Sequence, residues 1–275
     1  MPSPRMSPDC WANRDACTWH SYYSFDSEQP IKEYLDKAKE LGLSYFVLTD
    51  HCDLNYLDKG KDIFFDIKKQ DEELNEQQLL YPNIKILRGI EIGYKPSEIE
   101  RIKTLIKENN FDVINFSLHE SDGIDYFFKE EFEKLGIEKT LTLYFQRQVE
   151  MVKSFHDYDV FCHLDYGFKT AYLMDNSLSI KKYEPYLIEI MREVIKHKKT
   201  LELNLKVQEL VPLQHTEYIL KLYKDLGGED LTMSSDAHEV DRFCKGFDYY
   251  INIIKKAGFT HLIYFINRKK HKYAI

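Results

Sequence analysis

Near the end of the chain, an aspartate and a histidine stand two residues apart, where an apolar segment with the pattern of a strand runs into a turn. The segment begins at Leu231, and the two residues are Asp236 and His238. Side chains at positions i and i+2 of an extended segment point to the same side, so both could enter one site. Carboxylate oxygen and imidazole nitrogen together suit zinc, manganese or iron. Taken alone, however, the pair is better explained by a buried hydrogen bond or by a surface turn.

The same residue types recur where the other apolar runs end. Imidazoles and carboxylates follow the earlier predicted strands, and these residues are His20, Asp26, His51, Glu91, His119 and His163. Burying so many titratable groups without a cation would cost several kcal/mol for each group, and bound metal ions remove that cost. The pattern therefore predicts a cluster of metal ions. The other five of the ten histidines are predicted to be structural or solvent-exposed, at positions 156, 197, 215, 261 and 271.

Strand-like and helical segments alternate from Pro30 onward and would position these residues. Strands are predicted at 45–48, 84–91, 111–117, 160–165, 201–204 and 261–265, in addition to the stretch 231–238 and a first strand before His20. Helices are predicted at 31–41, 63–79, 97–109, 138–155, 183–197, 215–226 and 247–257. Seven or eight strand–helix units in 275 residues favour one α/β barrel domain. In such a barrel the carboxyl ends of all strands meet on one face.

The composition disfavours several classes of protein. A hydrophobic fraction of 43% with 20 tyrosines and 17 phenylalanines argues against a disordered chain. The 38 basic and 46 acidic residues give a net charge of −8, so nucleic acid is not expected as a partner. No apolar run approaches the length of a membrane span, and residues 1–12 are predicted to be a disordered lead-in rather than a secretory signal. Five cysteines without paired spacing indicate a reducing, cytoplasmic setting.

Six short motifs, in their order along the chain, resemble those of the polymerase-and-histidinol-phosphatase (PHP) superfamily of metal-dependent phosphoesterases. The motifs are His20–Asp26, Thr49–His51, Gly89–Glu91, Ser117–Glu120, His163–Tyr166 and Ser235–His238. The sequences Ser-Leu-His-Glu and His-Leu-Asp-Tyr are closest to the histidinol-phosphatase branch. The resemblance extends from His20 to about Phe265. It implies a distorted (β/α)7-type TIM-like barrel over residues 13–275 that acts on a small phosphorylated substrate.

The resemblance also implies how two or three divalent metal ions would be held. The implied ligands are His20, Glu91 and Asp236 for the first metal, Glu91, His119 and His163 for the second, and Asp26, His51 and His238 for the third. In this scheme Glu91 bridges the first two metals. Three of these residues, Glu91, Asp236 and His238, are also expected to take part in catalysis.

The chain departs from the family's pattern in two places. The first strand normally carries Asp-x-His-x-His, but Ala16 and Thr18 stand in place of the aspartate and the first histidine, so the first metal site loses an imidazole. Histidinol phosphatases also tend to use arginines on the loops after the fifth and sixth strands to bind phosphate. The nearest candidates here are Lys169 and Lys206, which supply charge without the forked geometry of arginine. Ordinary surface lysines would fit these two positions equally well.

Three hypotheses for the function remain. The leading one is hydrolysis of L-histidinol phosphate to L-histidinol and phosphate, a step of histidine biosynthesis. The second is a PHP-type phosphoesterase that acts on another small phosphate or on a nucleotide end. The third is an inactive metal-binding barrel, which is motivated by Thr18 at the position of the family's histidine. The sequence indicates neither the oligomeric state nor the general acid.

Overall fold

The computed structural model of the protein describes residues 19–275, in which strands and helices alternate. The strands are β1 Tyr45–Leu48, β2 His51–Tyr56, β3 Lys61–Phe64, β4 Lys85–Gly93, β5 Val113–Ser117, β6 Glu120–Ser121, β7 Ile124–Asp125, β8 Val160–Phe161, β9 Thr200–Asn204, β10 Leu231–Ser234, β11 His261–Ile266 and β12 Lys269–Ala274. The helices are α1 Ile31–Glu40, α2 Ile67–Leu80, α3 Ile99–Glu108, α4 Lys129–Leu135, α5 Ile137–Ser154, α6 Tyr166–Met174, α7 Glu184–Lys196, α8 Leu205–Gln208, α9 Leu213–Asp225 and α10 Phe247–Lys256. The predicted lead-in at 1–12, together with Ala16 and Thr18, lies outside the described residues.

The main sheet is parallel, and its strands follow one another in chain order. The parallel neighbours are β10, β9, β8, β5, β4 and β2, with β1 also beside β4, and the antiparallel strand β3 follows β2 at the edge. β1 and β2 are two parts of one interrupted strand, because Leu48 lies opposite Arg88 and His51 lies opposite Glu91 in an unchanged register. Helices on the outside of this sheet complete an α/β barrel of the predicted class, which confirms the predicted fold.

The backbone of Trp19 and His20 lies between the two ends of this sheet. Trp19 forms a parallel bridge with Ala237 after β10, and the His20 amide donates to the Ala237 carbonyl at 3.0 Å. On the other side, the Thr49 amide after β1 donates to the Trp19 carbonyl at 3.0 Å. The indole of Trp19 is buried and stacks on Phe243, with ring centroids 4.0 Å apart. Trp19 therefore occupies the position of the first barrel strand. With β1 and β2 counted as one strand, it brings the number of segments in the ring to seven.

The predicted strand at 261–265 exists, but it does not belong to the parallel ring. It is β11, and it pairs antiparallel with β12 through a two-residue turn. Both turn residues, Asn267 and Arg268, have positive φ angles of 50° and 61°, as tight hairpin turns of this kind require. Ile263 and Phe265 pack against Val47 and against apolar residues of β4, β5 and β8. Of the seven or eight units predicted, the ring therefore has seven, because this turn reverses the chain and the hairpin covers the amino-terminal end of the barrel.

The predicted helix at 63–79 begins later than expected. Residues 61–64 form β3, which pairs antiparallel with β2, and the helix α2 begins only at Ile67. Asp66 caps this helix, since its carboxylate accepts hydrogen bonds from two amides of the first turn. The β2–β3 hairpin also carries Asp53 and Tyr56, which line the pocket described below.

The other predicted helices lie close to their expected bounds, and their apolar faces pack on the sheet. Tyr34 of α1, Phe145 of α5 and Ile190 of α7 are completely buried in this layer. Among residues 19–275, the helices are too short or too polar to cross a membrane. The apolar core lies between the sheet and the helices, while buried polar side chains gather at the carboxyl edge of the strands.

Candidate metal centre

All eight predicted ligand residues lie together at the carboxyl edge of the sheet. Six points of the ring carry them: His20 and Asp26 after Trp19, His51 at the start of β2, Glu91 within β4, His119 after β5, His163 after β8, and Asp236 and His238 after β10. Most are buried, whereas Asp26 is exposed at the outer side. The parallel ring thus collects side chains from nearly the whole length of the chain.

The carboxylate of Glu91 is at the middle of this cluster. Its Oε1 lies 2.9 Å from Nε2 of His119 and 2.8 Å from Nε2 of His163. Its Oε2 lies 3.7 Å from Nε2 of His20, and Nδ1 of His51 lies 3.8 Å from Oε1. Glu91 is therefore within reach of four imidazoles on four segments, which is the position that a bridging ligand needs.

His20 and Asp236 face each other at the deep end of the centre. Nε2 of His20 lies 3.1 Å from Oδ1 of Asp236. These two atoms, and Nδ1 of His51, are buried without a hydrogen-bond partner among the described residues. Since buried polar atoms normally have a partner, three such atoms in the cluster around Glu91 fit a bound cation.

Asp26, His51 and His238 form the outer part of the centre. Nε2 of His238 lies 2.9 Å from Oδ2 of Asp26, and Nε2 of His51 lies 3.6 Å from the same oxygen. The ring of His20 stacks on both other imidazoles, with centroid distances of 4.2 Å to His51 and 4.4 Å to His238. Stacked imidazolium rings repel each other, so bound cations satisfy these three histidines better than a proton on every ring.

The local charges separate the pKa values of the histidines. Burial and the neighbouring imidazoles lower the pKa of His20 to about 4. Burial acts on His163 in the same direction, but the carboxylates of Glu91 and Glu202 outweigh it and raise its pKa to about 10. Burial also opposes the charge of Glu91, yet the surrounding imidazoles hold the pKa of its carboxyl well below the ordinary value. The carboxylate thus stays ionised, which is the form that binds metal.

Two candidate ligands have a left-handed backbone, which is uncommon for residues other than glycine. The φ angles are 60° at His163 and 46° at Asp236. The strand β10 ends at Ser234, so side-chain alternation along a strand, from which the pairing of Asp236 with His238 was predicted, does not apply here. The two share a site because the turn brings Oδ1 of Asp236 to 3.8 Å from Nδ1 of His238. Such backbone strain is concentrated at functional positions in proteins.

Two buried carboxylates that were not predicted from the sequence contact His163 and His119 on the side of each ring that faces away from Glu91. Glu202 accepts the backbone amide of His163 at 2.9 Å and lies 3.1 Å from its Nδ1. Oδ1 of Asp53 lies 2.8 Å from Nδ1 of His119. A carboxylate at one ring nitrogen fixes the proton there and leaves the other nitrogen free for a metal. A signal for Glu202 was present, since it is the one acidic residue inside the apolar run of β9.

Gly93 leaves the space that Asp53 occupies. A Cβ atom at Gly93 would lie 2.0 Å from Oδ1 of Asp53, the same atom that contacts His119. Any other residue at this position would displace the Asp53 carboxylate, so the glycine helps to set the orientation of His119.

A buried aspartate anchors the support of His20. Asp50 accepts four hydrogen bonds, from the amide and hydroxyl of Ser21, the hydroxyl of Ser24 and the amide side chain of Gln70. The Ser24 oxygen in turn lies 3.2 Å from Nδ1 of His20. The conformation of the His20 ring is therefore tied to the loop 21–24 and to α2.

The two predicted phosphate-binding lysines are placed differently. Lys206 lines the pocket, and its Nζ lies 3.0 Å from Nδ1 of His238 and 3.8 Å from Oδ2 of Asp236. Lys169 is buried, with its Nζ 4.1 Å from the centroid of the Tyr166 ring. Burial and the charge of Lys206 lower the pKa of Lys169 to about 8. Neither is an isolated surface lysine, and their binding to phosphate stays a prediction.

The remaining histidines do not join this centre. His156 and His197 stack on each other before β8 and β9, at the opposite end of the strands, with centroids 3.6 Å apart. Glu193 beside them could complete a metal-binding trio, but its carboxylate already pairs with Lys196 at 2.8 Å. His215 is buried, and its Nε2 lies 2.7 Å from Asp165.

A parallel barrel with a histidine–carboxylate cluster at its carboxyl edge defines the class of α/β-barrel metalloenzymes. A model of the PHP domain matches residues 17–206 of the chain. Because this span is more than half of the 275 residues, the chain belongs to the PHP domain family. The resemblance inferred from the six motifs is thereby confirmed, although Asp236 and His238 lie beyond the matched span.

Relatives match the chain over nearly its whole length. The probable histidinol-phosphatase of Clostridium acetobutylicum is 26% identical over 256 residues, which is 93% of this chain and 97% of that protein. The histidinol-phosphatase of Lactococcus lactis is 29% identical over 257 residues, or 92% of this chain and 95% of that protein. The crystal structure of histidinol phosphate phosphatase from Lactococcus lactis, complexed with zinc, L-histidinol and phosphate, superposes with a TM-score of 0.85 at 26% identity. The superposition covers 95% of this chain and 100% of the Lactococcus lactis chain.

Proposed function

We propose that the protein hydrolyses L-histidinol phosphate to L-histidinol and phosphate. The relatives described above are named for this activity, and one of their structures holds L-histidinol and phosphate with zinc. The observation in this chain that carries the proposal is the set of buried potential metal-binding atoms on His20, His51 and Asp236, which have no hydrogen-bond partner among residues 19–275 and lie in the cluster around Glu91. Residues 13–275 would form the catalytic domain. We expect it to act on this small phosphorylated substrate in histidine biosynthesis, in the cytoplasm.

The eight clustered side chains would hold two or three divalent ions, zinc, manganese or iron. The family resemblance implies His20, Glu91 and Asp236 for one ion, Glu91, His119 and His163 for a second, and Asp26, His51 and His238 for a third, and the distances between these side chains support that assignment. When bound, such ions polarise the phosphoryl oxygens and lower the pKa of a coordinated water.

The protein's own groups would fix the geometry of the reaction. Glu202 and Asp53 hold the protons of His163 and His119 on the nitrogens that face away from Glu91. Lys206 stands at the mouth of the centre, where its charge would attract the phosphate of the substrate. Its Nζ and the Asp236 carbonyl compete for Nδ1 of His238 at 3.0 Å each. Binding of an anion would draw Lys206 away, so that Nδ1 of His238 could donate its hydrogen bond to the Asp236 carbonyl.

The proposal is tested by measuring metal content and phosphate release for the purified protein, with L-histidinol phosphate and a nucleoside monophosphate as substrates. We expect bound divalent metal and faster turnover of L-histidinol phosphate. The variant Glu91→Gln should lose metal and activity together, since Glu91 faces four imidazoles. Thr18→His should raise the occupancy of the first metal site if this site lacks a ligand.

Other outcomes would favour the other two functions. Turnover of nucleotides by a protein that leaves L-histidinol phosphate untouched would support a PHP phosphoesterase of different specificity. The inactive barrel would be supported if the protein binds its full complement of metal but has no activity, and if the Thr18→His variant has no activity either. High activity that Thr18→His does not change would show that the first site works without the family's histidine.

A further inference from the structure

We propose that Asp125 binds the positively charged amine of the substrate, and that an aromatic rim beside it receives the substrate's planar ring. This inference rests on the proposed function and extends it to the part of the substrate that is not cleaved. The aromatic rim consists of Phe25, Phe127 and Phe128, which line the same pocket as the metal centre.

A small hairpin fixes Asp125 next to the metal centre. The chain leaves His119 as β6, turns, and returns as β7, so that Asp125 pairs with Glu120. The Tyr126 amide then donates to the His119 carbonyl at 3.0 Å, which ties the returning strand to the histidine. Asp125 lines the pocket together with His119, His163 and Lys206. A molecule whose phosphate reaches the metal centre would therefore extend towards this carboxylate.

Within the described part of the chain, no cationic side chain contacts the carboxylate of Asp125. The carboxylates of Asp26, Asp53 and Asp236, which line the same pocket, each pair with at least one histidine. Asp125 makes no ion pair with any residue from 19 to 275, and Lys169 acts on it only from beyond ion-pair distance. Its partners are neutral donors, the hydroxyl of Tyr56 and the amide of Phe127.

A buried carboxylate without a counter-charge is costly, unless a ligand supplies that charge. Asp125 is only 5% exposed, yet it faces the pocket. Its two neutral donors occupy part of its hydrogen-bonding capacity, because a carboxylate has about four acceptor positions. An ammonium group could thus bind without displacing either donor.

The aromatic rim provides the second contact. Phe25, Phe127 and Phe128 are 62%, 54% and 48% exposed, which is high for side chains of this size. Exposed aromatic groups around a concave site are typical of ligand recognition, and they stack well on planar rings. In L-histidinol phosphate, the amine is on the carbon next to the one that bears the phosphate ester, and the imidazole is attached further along the chain. These three groups match the metal centre, Asp125 and the rim.

The test uses L-histidinol as an inhibitor of p-nitrophenyl phosphate hydrolysis by the metal-loaded protein. The comparison compound is 3-(imidazol-4-yl)propan-1-ol, which has the same alcohol and ring but no amine. We expect the protein to bind L-histidinol more tightly, and Asp125→Asn to weaken that inhibition about 10- to 100-fold, as loss of a charged hydrogen bond would. Inhibition by the compound without the amine, and turnover of p-nitrophenyl phosphate, should hardly change.

A matched control lies in the same hairpin. Asp122→Asn removes the same charge from the turn between β6 and β7, where the carboxylate pairs with Arg147 at the surface, and it should leave the preference for the amine intact. An amine preference that survives Asp125→Asn would overturn the inference, as would equal inhibition of the unaltered protein by the two alcohols. Loss of p-nitrophenyl phosphate turnover in Asp125→Asn would also overturn it, because Asp125 would then support the metal centre. If L-histidinol phosphate is not hydrolysed although Asp125 controls L-histidinol binding, the proposed function fails and the amine site stands.

Discussion

Glu202 offers a direct test of how the protein prepares His163, because its carboxylate touches this histidine twice. One oxygen accepts the backbone amide at 2.9 Å and lies 3.1 Å from Nδ1, while the other accepts the hydroxyl of Ser234. Glu202→Gln keeps the shape of the side chain but replaces one of these oxygens with an amide nitrogen. That nitrogen cannot accept a hydrogen bond, so either His163 or Ser234 loses its acceptor.

The expected loss follows from the charge of the bond. A hydrogen bond to a charged group contributes about 1.5–3 kcal/mol, and about 1.4 kcal/mol corresponds to a tenfold change in an equilibrium constant. Removal of the charge should therefore weaken binding of metal at His163 by roughly 10- to 100-fold, which is the range found for groups that support metal ligands. Asn204 cannot replace Glu202, since its side-chain nitrogen, 3.1 Å from the same Nδ1, is itself a donor.

The assay is a zinc titration of the metal-free protein, followed by phosphatase activity at each zinc concentration. Glu202→Gln should need more zinc for half-maximal activity and should recover most of the activity at saturating zinc. Glu189→Gln is the control, because Glu189 is an exposed residue of the outer helix α7 and its carboxylate pairs with Lys153. An unchanged zinc requirement in Glu202→Gln would refute the reasoning. A loss that saturating zinc does not restore would show that Glu202 acts on the reaction itself rather than on metal affinity.

Three further predictions concern the support of the centre, the phosphate site and the plug of the barrel. Gly93→Ala should lower activity as strongly as Asp53→Ala in phosphate-release assays, because the new Cβ would displace the Asp53 carboxylate; full activity would contradict this. Inorganic phosphate should inhibit less as the pH rises through about 8, since Lys169 loses its proton there, and Lys169→Met should remove this pH dependence. Ile263→Ala should lower the free energy of unfolding by about 2–5 kcal/mol in urea titrations, whereas Leu79→Ala at an exposed position should change it little.

The strand-end residues show what could be read from the sequence. His51, His119 and His163 follow apolar runs separated by helical segments, and parallel strands in a barrel must end on the same face. Their convergence on Glu91 was therefore predictable without knowing any distance. Thr18 lies outside the described residues, so its effect on the first metal site stays a prediction.

The sequence was less informative where a single turn or a cross-strand contact decides the outcome. The apolar run at 261–265 has the pattern of a barrel strand, but the positive φ angles of Asn267 and Arg268 turn it into half of a hairpin. Asp236 and His238 were predicted to share a site because of strand alternation, whereas a left-handed turn brings them together.

Composition, periodicity and motif order by themselves determined the barrel, the family and the set of candidate ligands, because these depend on patterns that repeat along the chain. Only the tertiary structure decided which carboxylates join the candidate metal centre, which contact a histidine on its far side, and which make no ion pair with residues 19–275. Glu202, Asp53 and Asp125 are all acidic residues in strands, and although Glu202 stands out as the one acidic residue of β9, the sequence does not show which group each carboxylate faces. Their roles differ because hydrogen bonds and ion pairs form over about 3–4 Å, between side chains that the folded sheet brings together from distant parts of the chain.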